Sequence, residues 1–170
     1  VKLLNLHYTD NPKILMIPSY TKYAILSNVS KDIPCNFQLC NDLYWLECSN
    51  NISMPQLNKL KKLKFLTYHI KNIGQTINLN INLNGLYIYG KLPKINNLPD
   101  KLKVLILNLS VDSDPTHSFD NFKFPPNLQV FSLDLYGDKI YSDEIYKIIE
   151  RLLKKLPSTI KELGLNFHYD

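Results

Sequence analysis

Along this chain apolar residues recur in the pattern apolar-x-x-apolar-x-apolar. The clearest copies are Leu102, Leu105 and Leu107; Leu128, Phe131 and Leu133; and Ile160, Leu163 and Leu165. Each follows a proline by two or three residues, in LPDKL, PPNL and LPSTI, so the punctuation recurs with the pattern. The same template fits Leu83, Leu86 and Ile88; Leu63, Leu66 and Tyr68; Leu43, Leu46 and Cys48; Tyr20, Tyr23 and Ile25; and Val1, Leu4 and Leu6. The eight first positions, 1, 20, 43, 63, 83, 102, 128 and 160, are separated by 19, 23, 20, 20, 19, 26 and 32 residues. Self-similarity at such a period predicts an array of like units.

A short strand points alternate side chains to one face, so positions four and six of each copy turn inward together. One copy cannot bury them alone. Stacked as parallel strands about 4.8 Å apart, the copies line up two apolar columns, the first from Leu4 and Tyr23 through Leu105 and Phe131 to Leu163. The second runs from Leu6 and Ile25 through Cys48 and Tyr68 to Leu165. Between strands, Ile145, Ile148, Ile149, Leu152 and Leu153 keep helical spacing, which predicts a helix over 143–156 with Ser142 or Asp143 as cap and Pro157 beyond it. The stretch VDSDPTHSFDNFKF reads as a bulging polar loop, and ISMPQLNKLKK allows a single helical turn at best. The remaining connections are too short for helices and should be irregular or 3₁₀.

These phrases resemble the leucine-rich-repeat family, whose full signature is LxxLxLxxNxL, over essentially the whole chain. Asn28 and Asn51 occupy the asparagine position, whereas Thr9, Lys71, Lys91, Ser110, Tyr136 and His168 replace it elsewhere, so an irregular array is expected. The LPxxLxxL phrase is similar to degenerate repeats of amoebae and giant viruses, including the FNIP type, and more distantly to bacterial effector repeats. The resemblance implies an α/β fold: a single leucine-rich-repeat solenoid over 1–170, with a curved parallel sheet of about eight short strands. Its convex side would be mostly irregular, with one helix near 143–156. In that family positions three, five and seven line a concave binding surface. Here they include Trp45, Phe65, Tyr87, Tyr89, Val104, Ile106 and Val130, an apolar group of the kind that marks interfaces, and, in the second copy, Lys22, Ala24 and Leu26.

Composition narrows the function without naming a partner. A chain of 170 residues, 45% hydrophobic, suits one domain with a real core. The formal charge of +5 comes from scattered lysines, among them Lys59, Lys61, Lys62, Lys64, Lys154 and Lys155. Arg151 is the only arginine, so a solvated lysine surface is favoured over a nucleic-acid footprint. No apolar run reaches the roughly 20 residues of a membrane span. Cys35, Cys40 and Cys48 show no paired metal spacing and read as reduced, intracellular thiols. Sequons at Asn28, Asn51 and Asn108 are what an asparagine-rich chain produces by accident. The start at Val1, without methionine or leader, suggests an excerpt of something longer.

Enzymatic readings find little support. His7 and His69 would stand three strands apart, roughly 15 Å, too far to share a metal. His117 and His168 lack an HExxH context, Cys48 sits in an inward column, and no GxxxxGK[ST] or GxGxxG phrase occurs. The expectation is a non-catalytic protein-binding module with no cofactor or metal. A structural component that self-associates through the apolar face or an uncapped end, in an assembly of viral or other origin, is the alternative. Nucleic-acid binding through lysines is the weakest of the three.

Overall fold

A computed structural model describes residues 3–7, 16–27, 37, 40–49, 52–72, 74–79, 81–111, 119, 122–138, 140 and 142–168. In chain order its elements are β1 (Leu3–His7), β2 (Tyr23–Ser27), β3 (Trp45–Ser49), α1 (Met54–Leu57), β4 (Phe65–Ile70) and β5 (Thr76–Asn78). There follow β6 (Gly85–Lys91), β7 (Lys94–Asn97), β8 (Val104–Ser110), β9 (Val130–Tyr136), α2 (Asp143–Lys154) and β10 (Glu162–His168). Eight strands form one open sheet in the order β1-β2-β3-β4-β6-β8-β9-β10, every neighbouring pair parallel.

Alternation explains the packing. Leu46, Leu66, Leu86, Leu105 and Phe131 at position four, and Cys48, Tyr68, Ile88, Leu107 and Leu133 at position six, are all at most 1% exposed. The first positions Leu43, Leu63, Leu83, Leu102 and Leu128 are buried as well. Burying each leucine is worth about 1.5–3 kcal/mol, so the columns dominate the fold's stability. Leu4, Leu6 and Leu165, on the flanking strands, are partly buried against this core. Leu163 faces the same side as its partner Phe131, yet it is 48% exposed because β10 has no strand beyond it.

The starts of β3, β4, β6, β8, β9 and β10 carry a recurring main-chain bond. The Lys22 carbonyl accepts from the amides of Tyr44 and Trp45; the Tyr44 carbonyl accepts from Lys64 and Phe65. The carbonyls of Lys64, Asn84, Lys103 and Gln129 repeat this, each holding two successive amides of the next unit. The acceptor is always position two, and the donors are positions two and three of the following copy.

This staircase corrects the second copy. Ala24 and Leu26 are buried at 0% and 2%, while Tyr23 is 40% exposed, so the unit begins at Thr21 and not at Tyr20. Tyr-Ala-Ile-Leu is apolar at every position, so alternation gives no register, and a one-residue slip exchanges the two faces. Proline spacing settles it: the Thr21 amide donates to the Pro18 carbonyl at 3.0 Å, as Leu102 does to Pro99, Leu128 to Pro125 and Ile160 to Pro157. In this register residue 29 takes the ninth position in place of Asn28; both lie outside the described residues, as do Thr9, Asn51, His117 and Cys35.

The side opposite the main sheet is more ordered than expected at one point. β5 and β7 pair in parallel, burying Ile77 against Ile95, and Asn97 Nδ2 donates to Asn78 Oδ1 at 3.2 Å. The period-two alternation of Ile77, Leu79, Ile81 and Leu83 announces that strand. α1 is the single turn anticipated, and Gln56 Oε1 accepts from the Ser53 amide at 3.0 Å to close its start. α2 ends at Lys154, two residues short of the predicted boundary. Ser142 Oγ caps it by accepting from the Ile145 amide, and Ile145, Ile148, Ile149 and Leu152 are buried while Leu153 is not.

Two further core features concern aromatics. Phe119 and Phe122, in the stretch read as a polar loop, are buried. An edge-to-face series runs Phe119–Phe122–Phe124–Phe131 with centroids 5.7, 4.7 and 4.9 Å apart. Tyr68 donates its hydroxyl to the Ile52 carbonyl at 3.1 Å and accepts from Gln75 Nε2 at 3.0 Å, which satisfies a phenol inside an apolar column. Burial, helped by nearby Cys48, pushes its ionisation well above the ordinary phenol range, and the Gln75 bond opposes this only partly. Burial likewise raises the Cys40 thiol, whose Sγ lies 3.6 Å from the Ile17 carbonyl. Cys40 and Cys48 are both buried and pack in the core.

Candidate functional site

The residues opposite the core form rows across the sheet. In the first, Tyr23, Trp45, Phe65, Gly85, Val104 and Val130 are successive partners. The second places Ile25, Glu47, Thr67, Tyr87, Ile106 and Ser132 side by side, and the third includes His69, Tyr89, Asn108 and Asp134. Trp45, Phe65, Tyr87 and Tyr89, with Glu47, Thr67 and His69, line one depression of about 410 Å³ over β3, β4 and β6.

Its shape follows from side-chain size. Thr67 is the floor, 8% exposed, with Phe65 and His69 on its own strand and Glu47 and Tyr87 beside it. Gly85 makes room for one wall: a Cβ there would lie 2.6 Å from Cδ1 of Phe65, so the ring rests over the glycine. Tyr44 and Tyr23 back the first row, with Tyr44 5.5 Å from Phe65 and Tyr23 6.5 Å from Trp45, centroid to centroid. On the far wall His69 stacks on Tyr89 at 5.3 Å and 22°, and its Nε2 lies 3.1 Å from Glu47 Oε1. That pair is partly exposed and orients the ring more than it stabilises the fold.

Of the expected interface residues, Trp45, Phe65, Tyr87 and Tyr89 are thus brought together. Val104, Ile106 and Val130 share the same face but lie outside the depression, extending it as an apolar, half-buried shelf over β8 and β9. The shelf meets a polar border, where Asn108 Nδ2 donates to Asp134 Oδ2 at 3.1 Å and His168 Nε2 lies 3.2 Å from Asp134 Oδ1. Asn108, the sequon residue, is therefore already engaged. Ala24 and Leu26, expected on this face, belong to the core instead. Tyr23 and Tyr44 were missed, the first through the register slip and the second because it precedes its strand.

Among the described residues no three His, Cys, Asp or Glu side chains group as metal ligands. His69 stands three strands from β1, the strand of His7. No described helix is long and apolar enough to cross a membrane. The chain matches no family model, no curated protein and no solved structure.

Proposed function

We propose that the chain is an irregular leucine-rich-repeat solenoid, a non-catalytic module that binds a partner protein through the face bearing Trp45, Phe65, Tyr87 and Tyr89. One observation carries this reading: four large aromatic side chains from three strands line an open depression. Aromatic residues supply large buried area at little entropic cost and dominate binding hot spots. The apolar shelf of Val104, Ile106 and Val130 widens the contact beside it.

Alanine at Trp45 or Tyr87 is expected to weaken binding of the purified native partner by about 2 kcal/mol, roughly 30-fold in Kd. Neither side chain belongs to the buried columns, so the thermal midpoint should stay close to that of the parent chain. Unchanged affinity in both variants removes this face from consideration.

A second reading, a structural component that self-associates, draws support from β10. Its core-facing Leu163 and Phe167 are 48% and 37% exposed at an open sheet edge. Light scattering on the 170-residue chain is expected to show concentration-dependent mass that Leu163→Glu abolishes. A strict monomer at high concentration sinks that alternative.

A further inference from the structure

The register that builds the sheet also sorts the lysines. From β2 to β10, position two is Lys22, Tyr44, Lys64, Asn84, Lys103, Gln129 and Lys161, with lysine on every second strand. All of these stand at the strand starts, beside the paired amide bonds, and so follow one rim of the sheet. The turns just before add Lys61, Lys62 and Lys101. Lys22, Lys61, Lys62 and Lys64, with Tyr23 and Tyr44, line a depression of about 560 Å³ that Asp42 also borders. A neighbouring one of about 590 Å³ shares Lys61 and continues to Asp100 and Lys101.

Seven lysines against Asp42, Asp100 and Glu162 leave an excess of four on this rim. Some of the lysines scattered along the sequence are thus collected in space. Among the described residues, the rim's ion pairing is Lys62 with Asp42 at 3.8 Å, both well exposed. Lys22, Lys61, Lys101, Lys103 and Lys161 are exposed as well.

Shape and chemistry select the anion. The position-two row is six strand spacings long, roughly 29 Å at about 4.8 Å each, so with the turn lysines beside it the rim is a narrow band rather than a broad plane. A narrow band suits a flexible linear polyanion better than a flat bilayer. Between Lys22 and Lys64 stand Tyr23 and Tyr44, 40% and 42% exposed and 6.3 Å apart, with Tyr20 beyond them at 57%. Exposed rings beside ammonium groups accept unstacked bases while the lysines neutralise phosphates, a pairing an acidic polypeptide would leave half unused. Lysine meets phosphate as a point charge and lacks the fork that reads base edges, so no sequence preference is expected. We propose that this rim, which adjoins the aromatic depression through Tyr23 and Tyr44, binds single-stranded nucleic acid without sequence specificity.

The test is fluorescence anisotropy of the full 170-residue chain with fluorescein-labelled oligodeoxythymidine between about 50 and 200 mM salt. Four or five neutralised phosphates give a log–log slope of association against salt of about −3. Lys61→Gln, Lys62→Gln and Lys64→Gln together should weaken binding at least tenfold and reduce the slope by about 2. The exposed pair Lys61→Gln and Lys62→Gln alone should produce about two thirds of that slope change. Tyr44→Leu should weaken binding about tenfold through lost stacking. Lys154→Gln, on α2 and away from the rim, should change nothing. Failure to bind at the lowest salt, or indifference to the lysine variants, overturns the proposal. So does displacement by polyglutamate as effective as by unlabelled oligonucleotide, or by anionic phospholipid vesicles with Tyr44→Leu silent.

Discussion

Phe131→Ala is expected to lower the stability of this protein by about 3–5 kcal/mol, a large part of the 5–15 kcal/mol typical of a folded domain. Three losses combine at that site. The ring is 1% exposed, so its transfer from water is forfeited almost entirely. It sits at position four of β9, with Leu105 on one flank and Leu163 on the other. It also ends the edge-to-face series through Phe124, 4.9 Å away, and such contacts add about 0.5–1.5 kcal/mol beyond area alone. Parallel strands on both sides restrain collapse, so a cavity should persist. Urea titration followed by circular dichroism should show a lower midpoint at an unchanged slope. A shift below about 1 kcal/mol would mean that the Phe119–Phe124 stretch closes over the gap, and the ring's central place in the packing would have to be abandoned.

Gly90→Ala should cost about 2–3 kcal/mol through a different route, the main chain. Gly90 has φ of 106°, a conformation that side-chain-bearing residues rarely adopt, and a Cβ there would lie 2.2 Å from the Ile70 carbonyl oxygen. That atom belongs to the neighbouring strand β4, so relief requires the β4–β6 pairing to part locally. Gly74 provides the comparison, because its φ is 73° and a Cβ placed there would meet nothing within 4 Å. Gly74→Ala should show only the torsional penalty, about 1 kcal/mol. Equal losses in the two variants would rule out the steric contribution at Gly90.

Much of this fold was legible in spacing, because a unit that must stack repeats its inward positions at fixed intervals. Leu43, Leu63, Leu83, Leu102 and Leu128 and the residues three and five beyond them lie where the template puts them. Legibility failed where apolar residues occupy both faces. In Tyr23–Leu26 the alternation is silent, and only the turn from Pro18 to Thr21 fixes the register. It failed again at Phe119 and Phe122, whose polar neighbours hid their burial, and at β5 and β7, which pair outside the main repeat. The aromatic group of the candidate face was readable because Trp45, Phe65, Tyr87 and Tyr89 hold odd positions of correctly placed copies. The depression itself was not, since it depends on the small Thr67 and on Gly85 yielding space to Phe65. Likewise the basic rim emerges only when position two is followed from strand to strand, a direction at right angles to the chain.

The doubled amide bond at the starts of β3, β4, β6, β8, β9 and β10 uses main-chain atoms alone, so it makes no demand on what travels between one strand and the next. Returns of 20 residues, from Leu43 to Leu63, and of 32, from Leu128 to Ile160, arrive in the same alignment. What the sheet displays is thereby uncoupled from the length of what closes each circuit. Insertions between strands can lengthen or shorten a connection while the displayed rows remain aligned, leaving the sheet face free to diversify residue by residue.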